Sequence, residues 1–144
     1  HRLEKKQLRL EEDIHKDLPQ VYGNAEEIGQ VLMNLLINAA DASPEATAVR
    51  VTIKPSDSGG AILAVEDSGE GVPAEIRERI FDPFFTTKEP GKGTGLGLAI
   101  AHTIVDNHGG SLRIEDGKTL KGARFVLELP RADLHESRRT KEIV

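Results

Sequence analysis

The order of helical and strand-like segments constrains the fold of this chain more than any other feature of its sequence. Apolar residues repeat at helical spacing in two long stretches, Ile28 to Ala39 and Leu96 to Val105. Apolar and polar residues alternate, as in strands, once before the first stretch, twice between the two and twice after the second. Because helices and strands do not alternate regularly, a doubly wound parallel fold is excluded, and a mixed sheet with helices on one face is predicted.

The first long helix has the clearest boundaries. Asn24 is predicted to be its N-cap because Glu27 follows three residues later, and the Ser43-Pro44 pair ends the helical pattern. Pro73 opens a short predicted helix. The predicted strands cover residues 8–14, 49–54, 61–67, 111–116 and 122–130.

Composition favours one globular domain. The chain has 144 residues, of which 38% are hydrophobic and 30% charged, enough apolar material for a single core. It contains no cysteine, so disulfides, thiolate metal sites and a cysteine nucleophile are excluded. We predict one domain over residues 1–130 and a polar C-terminal tail or linker stub over residues 131–144.

The charge balance argues against nucleic acid as a partner. With 19 basic and 24 acidic residues the net charge is −5, and no run of Lys or Arg forms a basic stripe. No stretch is apolar enough to span a bilayer, and the charged beginning of the sequence lacks the apolar centre of a signal peptide. The sequence therefore predicts no direct membrane insertion and a cytoplasmic location, alone or as part of something larger.

A stripe of amide side chains lies on the first long helix. Gln30, Asn34 and Asn38 are spaced by four residues, with Asp41 close to the helix end. Amide oxygens can bind a hard cation such as Mg²⁺ while the metal keeps water and shares phosphate oxygens. The amides could equally cap buried backbone or face solvent, so the stripe alone leaves both interpretations open.

Asp67 ends the second strand of the first predicted hairpin. Gly69 and Gly71 follow, and they allow a sharp turn and a close approach of backbone to a ligand. A carboxylate at this place can accept a hydrogen bond from an exocyclic amine. An ordinary Asp-Ser-Gly turn explains the same residues.

Alternating glycines lead into the second long helix. Gly91, Gly93, Gly95 and Gly97 would let backbone N–H groups and the positive helix end converge on phosphate. The segment is neither a Walker loop nor a G-x-G-x-x-G fingerprint, so those two nucleotide folds are excluded. A glycine hinge packed under the helix is the alternative.

A loop rich in Phe, Thr, Gly and Pro precedes these glycines and is predicted to be mobile. It holds Phe81, Phe84 and Phe85, and we expect Phe81 to anchor it to the core. Lys88 and Lys92 could meet phosphate oxygens, although a solvated surface is the usual place of a lysine.

Taken together, four segments resemble a known family. The N, G1, F and G2 boxes of the catalytic ATP-binding domain of sensor histidine kinases are similar, in order and spacing, to Asn34–Ala42, Asp67–Pro73, Phe81–Lys88 and Gly91–Gly110. The likeness runs over residues 8–130. The first and third segments look closest to the nitrogen-regulation type of these kinases.

The resemblance implies the Bergerat fold, a two-layer α/β sandwich with a mixed, mostly antiparallel sheet, three helices on one face and a flexible ATP lid. It implies ATP and Mg²⁺ as cofactors, with Asn38 as the metal ligand and Asp67 as the acceptor of the adenine amino group. Asn34, Lys88 and Lys92 are the implied catalytic residues. The implied nucleotide-binding residues are Asn34, Asn38, Asp41, Ala42, Asp67, Gly69, Gly71, Val72, Ile76, Phe85, Thr86, Thr87, Lys88, Lys92, Gly93, Thr94, Gly95, Leu96, Gly97 and Leu98.

Asn34 matches the position at which the ATP-hydrolysing relatives of this fold carry a glutamate general base. An amide cannot take a proton from water at neutral pH, so ATP should be spared hydrolysis. The implied activity is that of a protein-histidine kinase, which transfers the γ-phosphoryl group in two-component signal transduction.

Two residues depart from the family pattern. Asp41 stands where many relatives have a lysine, which removes a phosphate partner and adds negative charge. Ala123 stands where many have a threonine, so a hydroxyl that would hold water beside the adenine is missing. Both changes are expected to weaken nucleotide contacts.

The phosphoacceptor pattern of the family, a His-Glu pair followed shortly by proline, is missing, because the His135-Glu136 pair has no such proline. We therefore expect the acceptor in an upstream histidine-containing dimerisation domain absent from this chain, and a response regulator receiver domain downstream in the pathway. The whole could be the cytoplasmic part of a membrane-anchored sensor. An anti-sigma-factor-type serine kinase and a non-catalytic ATP-sensing interaction module remain alternatives.

Overall fold

The computed structural model describes residues 2–85 and 95–132. Residues 86–94, which include much of the predicted lid, and most of the predicted tail lie outside the described residues. The elements in chain order are α1 (Arg2–Lys5), β1 (Arg9–Ile14), α2 (Ala25–Ala42), β2 (Ala48–Pro55), β3 (Ala61–Glu66), a 3₁₀ turn (Ala74–Ile76), α3 (Gly97–Asn107), β4 (Ser111–Asp116) and β5 (Ala123–Leu129).

The five strands form one sheet in the order β1-β2-β3-β5-β4. β1 and β2 run parallel, joined through α2, and the other neighbours are antiparallel. The predicted mixed, mostly antiparallel sheet is therefore confirmed, as are the two predicted hairpins, β2-β3 and β4-β5.

The core lies between one face of the sheet and the helices α2 and α3. Its most buried side chains include Val31, Leu35, Val49, Val65, Val105, Phe125 and Leu127. Residues that alternate with these in the strands, such as Arg50 and Val126, point to the opposite face, where Arg50 pairs with Glu11 and Asp13 of the edge strand. The predicted two-layer α/β sandwich is confirmed.

α2 begins and ends close to the predicted residues. The side chain of Asn24 accepts a hydrogen bond from the N–H of Glu27 at 3.1 Å, so the predicted N-cap is confirmed. The helix ends at Ala42, and the N–H of Ser43 bonds the carbonyl of Ala39. The pattern of caps and apolar residues was sufficient to place this helix.

A lysine from outside the helix satisfies the C-terminal carbonyls of α2. The Nζ atom of Lys6 donates to the carbonyl oxygens of Ala40, Asp41 and Ser43 at 2.9, 3.1 and 2.9 Å. These groups have no partner within the helix, and a cation there also opposes the negative end of the helix dipole. Lys6 therefore fixes the last turn of α2 to the segment between α1 and β1.

One segment differs from the sequence-based prediction. The short helix expected at Pro73 forms only as the 3₁₀ turn, because the run is too short to offset helix nucleation and the Arg77 side chain binds the carbonyl of Val72. Past residue 130, Arg131 pairs with Val21 and the N–H of Ala132 donates to the carbonyl of Gln20. The domain boundary at residue 130 remains a prediction.

Within the described part of the chain, no helix combines the length and apolar character that crossing a bilayer requires.

His108 joins the end of α3 to the start of α2. Its Nδ1–H donates to the carbonyl of Ile104 at 2.7 Å, and Nε2 accepts from the N–H of Asn24 at 3.1 Å. The ring is buried and uses both of its nitrogens in these two bonds.

We expect His108→Leu to lower the free energy of unfolding by about 1–3 kcal/mol, because it removes both hydrogen bonds of a buried ring, one of them part-buried, to the N–H of Asn24. His15→Leu is the matched control at an exposed position and should change stability by less than about 0.5 kcal/mol. Urea unfolding of the two variants and the wild type measures the difference. Equal midpoints for all three would show that the His108 bonds contribute nothing.

Candidate functional site

The predicted motifs on α2 and α3 meet through Asn34. Its Nδ2 atom donates to the carbonyl of Gly97, the first residue of α3, at 3.1 Å. The N–H groups in the first turn of a helix are not used within the helix, so the start of α3 presents donors beside this amide. The geometry suits an anion next to α2.

Asn38 lies one helical turn further along α2. Its side chain is half-buried, and among the described residues it makes no hydrogen bond. A half-buried amide oxygen without a protein partner fits the role of a ligand to a hydrated hard cation. The described residues contain no cluster of three His, Asp or Glu that could hold a metal by themselves. Any Mg²⁺ here would therefore take most of its ligands from water and phosphate.

Asp67, at the end of β3, is only 3% exposed. Its Oδ1 atom accepts hydrogen bonds from the N–H groups of Gly69 at 2.9 Å and Ala123 at 3.1 Å. Neither of these bonds uses Oδ2, which can accept a donor from a ligand. Burial raises the pKa of the Asp67 carboxyl above its ordinary value; the two N–H bonds oppose the rise, and the nearby charge of Glu66 adds to it.

The Asp67 loop, residues 67–73, packs against the end of α2. A Cβ atom on Gly69 would stand 2.6 Å from the carbonyl oxygen of Ala42, so only glycine fits there. The N–H of Ser68 donates to the Oγ atom of Ser43, and Gly71 has a φ of +83°. The predicted need for glycine at both positions has a physical cause in these contacts.

The loop between β4 and β5, residues 117–122, forms the other side of a cavity of about 320 Å³; we call it the hairpin loop. The cavity is lined by Glu70, Gly71, Val72, Pro73, Asp116, Gly117, Lys121 and Gly122. A Cβ atom on Gly122 would stand 1.8 Å from Oδ1 of Asp67, so this loop also approaches as closely as backbone can. Sequence reasoning missed the hairpin loop as part of the site; its flanking glycines were the only local signal.

The three phenylalanines of the predicted loop have different surroundings. Phe81 packs edge-on against Phe125, with ring centroids 6.3 Å apart, so its predicted anchoring to the core is confirmed. Phe85 lies under the guanidinium of Arg79 at 4.8 Å. Phe84 is 74% exposed and has a φ of +67°, an uncommon conformation for a residue with a side chain.

The other predicted site residues fall into two groups. Those within the described residues lie in three places. The core is contacted by Val72, Ile76, Phe85 and Leu98. The last turn of α2 holds Asp41 and Ala42, and the segment just before α3 holds Gly95 and Leu96. Outside the described residues lie Thr86, Thr87, Lys88, Lys92, Gly93 and Thr94. The structure thus brings together the parts of the site on α2, on the Asp67 loop and at the start of α3.

Comparison with known proteins agrees with the family resemblance of the sequence. The sequence profile described as histidine kinase-, DNA gyrase B-, and HSP90-like ATPase matches residues 23–133. The sensor histidine kinase ZraS of Escherichia coli O157:H7 is 41% identical over 125 residues, which cover 87% of this chain and 26% of that protein. The chain therefore spans only a minor part of this relative.

Two solved structures are similar along nearly the whole chain. The catalytic domain of histidine kinase ThkA has a TM-score of 0.80 and 33% identity, covering 92% of this chain and 85% of that one. Full-length ShkA in complex with AMPPNP has a TM-score of 0.78 and 32% identity, covering 91% of this chain and 27% of that one. The chain belongs to the histidine kinase-, gyrase B- and HSP90-like ATPase family, as a catalytic ATP-binding domain of the sensor histidine kinase type.

Proposed function

We propose that this chain binds Mg·ATP and transfers the γ-phosphoryl group to a histidine on a separate dimerisation domain. The observation that carries the proposal is the amide at Asn34, hydrogen-bonded to the start of α3, where a hydrolase of this fold needs a base. An amide can orient groups but cannot activate water. In this proposal water is not the nucleophile, and an imidazole brought by another domain attacks instead.

The Asp67 loop is the proposed adenine site. The Oδ2 atom of Asp67 would accept the exocyclic amine, and the missing side chain of Gly71, which lines the cavity, would leave room for the purine. Val72 and Ile76 would contribute apolar contacts, since both pack against the core beside this loop. A buried acceptor of this kind favours adenine, because guanine presents a carbonyl oxygen in place of that amine.

The start of α3 is the proposed phosphate site. Its unused N–H groups and the positive end of its dipole would stabilise negative charge on the phosphates. Asn38 would hold Mg²⁺, which neutralises phosphate charge when bound. Lys88 and Lys92, with Thr86, Thr87, Gly93 and Thr94, remain proposed lid residues.

The reaction requires no covalent intermediate on this chain. An imidazole nitrogen would form a bond to the γ-phosphorus while the bond to the bridging oxygen breaks, and ADP would leave with the electron pair. Phosphoryl transfer of this type depends mainly on alignment and charge neutralisation. The residues of this chain would align the nucleotide, and the second domain would supply the nucleophile.

The sensor kinase relatives make an upstream dimerisation domain and a response regulator receiver domain the proposed partners. A cytoplasmic location, including the cytoplasmic part of a membrane-anchored sensor, belongs to the same proposal. Each follows from the histidine kinase assignment and from no contact within this chain.

Labelled ATP tests the reaction class. With a separate dimerising acceptor domain and Mg²⁺, the chain should place label on histidine, where the phosphoryl group is lost in acid and retained in base. Acid-stable label on serine would show that the anti-sigma-type alternative is correct, and release of free phosphate without protein label would indicate hydrolysis.

Asn38→Ala should weaken Mg·ATP binding by about tenfold or more, because it removes the only side-chain ligand proposed for the metal (about 1.4 kcal/mol per tenfold). Gln30→Ala, an exposed amide on the same helix, is the matched control and should bind as the wild type does. Calorimetric titration with and without Mg²⁺ separates the effects. A loss of affinity that is the same with and without the metal would exclude Asn38 as a ligand.

Asp67→Asn separates stability from binding. The raised pKa means that the folded state binds the proton more tightly than the unfolded chain, so ionising Asp67 as pH rises through that pKa lowers the free energy of unfolding. The neutral amide keeps an acceptor for Gly69 and Ala123, and we expect equal or greater stability at neutral pH. ATP affinity should fall by about tenfold or more, because an NH₂ group replaces an acceptor facing the adenine amine.

The pH dependence supplies a second test of Asp67. Wild-type ATP affinity should decrease as pH is lowered through the raised pKa, since protonation removes the carboxylate acceptor. The Asn variant should lack this decrease. Unfolding and ATP titrations of both proteins at several pH values measure both effects, and parallel binding curves would contradict the proposed role.

A further inference from the structure

Glu66 has no place in the site described so far, yet its side chain is completely buried. It lies on the sheet face opposite α2 and α3, next to Asp67 in sequence. Its Oε1 atom accepts from the N–H of Lys118 at 3.0 Å, and Oε2 accepts from the N–H groups of Thr119, at 2.9 Å, and Leu120. Three consecutive backbone donors of the hairpin loop therefore converge on one carboxylate.

An arginine completes the surroundings of this carboxylate. The Nη1 atom of Arg124, directly across the sheet on β5, lies 3.6 Å from Oε1 of Glu66. The Nε atom of Arg124 also donates to Glu115 on β4 at 3.1 Å. A buried carboxylate with these partners is stable only while the hairpin loop stays in place, because every lost donor would leave buried charge uncompensated.

The same loop also borders the proposed adenine site. The N–H of Gly117 closes the loop on the carbonyl of Gly122 at 2.8 Å, and the N–H of Gly122 donates to the carbonyl of Asp67 at 3.1 Å. Gly117, Lys121 and Gly122 line the cavity opposite the Asp67 loop. Glu66, through its side chain, and Asp67, through its backbone carbonyl, thus hold the same loop.

We propose that Glu66 is a positioning residue that fixes the hairpin loop as one side of the nucleotide pocket. This inference rests on the proposed function, because it assigns the pocket to the purine. Without the carboxylate the loop populates positions away from Asp67, and the apparent affinity falls in proportion to the closed fraction. Glu66 itself touches neither the nucleotide nor the reacting atoms.

Glu66→Gln tests the inference. Glutamine keeps the shape but has a single acceptor oxygen and an NH₂ group, so it cannot accept from three N–H groups. We expect Mg·ATP and Mg·ADP to bind about tenfold more weakly. Both nucleotides should lose affinity by the same factor, since the defect lies where the adenine binds and not at the phosphates. Amide hydrogen exchange at residues 118–120 should become faster, which a purely distant effect on binding would not cause.

Glu128→Gln is the matched control. Glu128 lies on the same face of the sheet and pairs with Arg113 at 3.4 Å and Ser58 at 3.0 Å, away from the hairpin loop. It should leave both affinities and the exchange at residues 118–120 unchanged. If Glu66→Gln does not fold, the double variant Lys118→Gly and Thr119→Gly replaces it, because glycines loosen the exposed loop without touching the carboxylate.

The outcomes separate this inference from the proposed function. Wild-type affinity in the variant, together with fast exchange at residues 118–120, would overturn the positioning role. Weaker ATP binding with unchanged ADP binding would overturn it as well, since the defect would then lie at the phosphates. A wild-type chain that binds no nucleotide would refute the proposed function. Exchange at residues 118–120 that is slow in the wild type and faster in Glu66→Gln would still show that Glu66 holds the loop.

Discussion

The arrangement of this site depends on the need to satisfy one buried carboxylate with backbone donors. Asp67 is withdrawn from water at the end of β3, so its Oδ1 atom must find partners within the protein. The N–H groups of Gly69 and Ala123 donate to it. The bond to Gly69 requires a sharp turn directly after β3, and the bond to Ala123 holds the first residue of β5. Neither bond uses Oδ2, which in the proposed function accepts the adenine amine. One polar requirement thus defines both the turn and the pocket.

Close backbone contacts on both sides of Asp67 make the site rigid where it is described. Gly69 lies against the carbonyl of Ala42, and Gly122 lies against the Asp67 carboxylate, with no room for a side chain at either place. Lys6 holds the adjoining last turn of α2 from the outside. Since the end of α2, the Asp67 loop and the hairpin loop are in direct contact, a displacement of one must be accommodated by the others.

The sequence was most informative where a local rule decides the structure. The cap at Asn24 and the alternation in the strands depend on neighbours within a few residues, and helix α2 and all five strands formed close to their predicted bounds. The resemblance to the family then predicted that Asn34, Asn38 and Asp67 belong to a single site, which stays a prediction. Their mutual placement depends on the sheet order, which periodicity does not specify.

Other features escaped prediction because their partners are distant in sequence. The Lys6 ammonium caps a helix more than thirty residues away, and the three donors to Glu66 lie more than fifty residues away. Alternation places Glu66 on the outer face of the sheet, which favours a solvated side chain; instead it is buried, in contact with the hairpin loop and with Arg124. The helix predicted after Pro73 forms only as a 3₁₀ turn, because tertiary contacts and not local sequence determine the structure of so short a segment.

The described residues contain no group of three or more His, Asp or Glu that could hold a metal, and this has a consequence for the proposed reaction. One amide, as proposed at Asn38, would bind a divalent cation only weakly on its own, because a neutral oxygen does not balance the charge of Mg²⁺. Most of the metal's negative ligands would come from the triphosphate, so nucleotide and metal would each strengthen the binding of the other. With Asn34 unable to activate water, that coupled complex would persist until a nucleophile arrives. A domain built in this way suits a signalling kinase, whose output depends on delivering the acceptor rather than on turning over ATP.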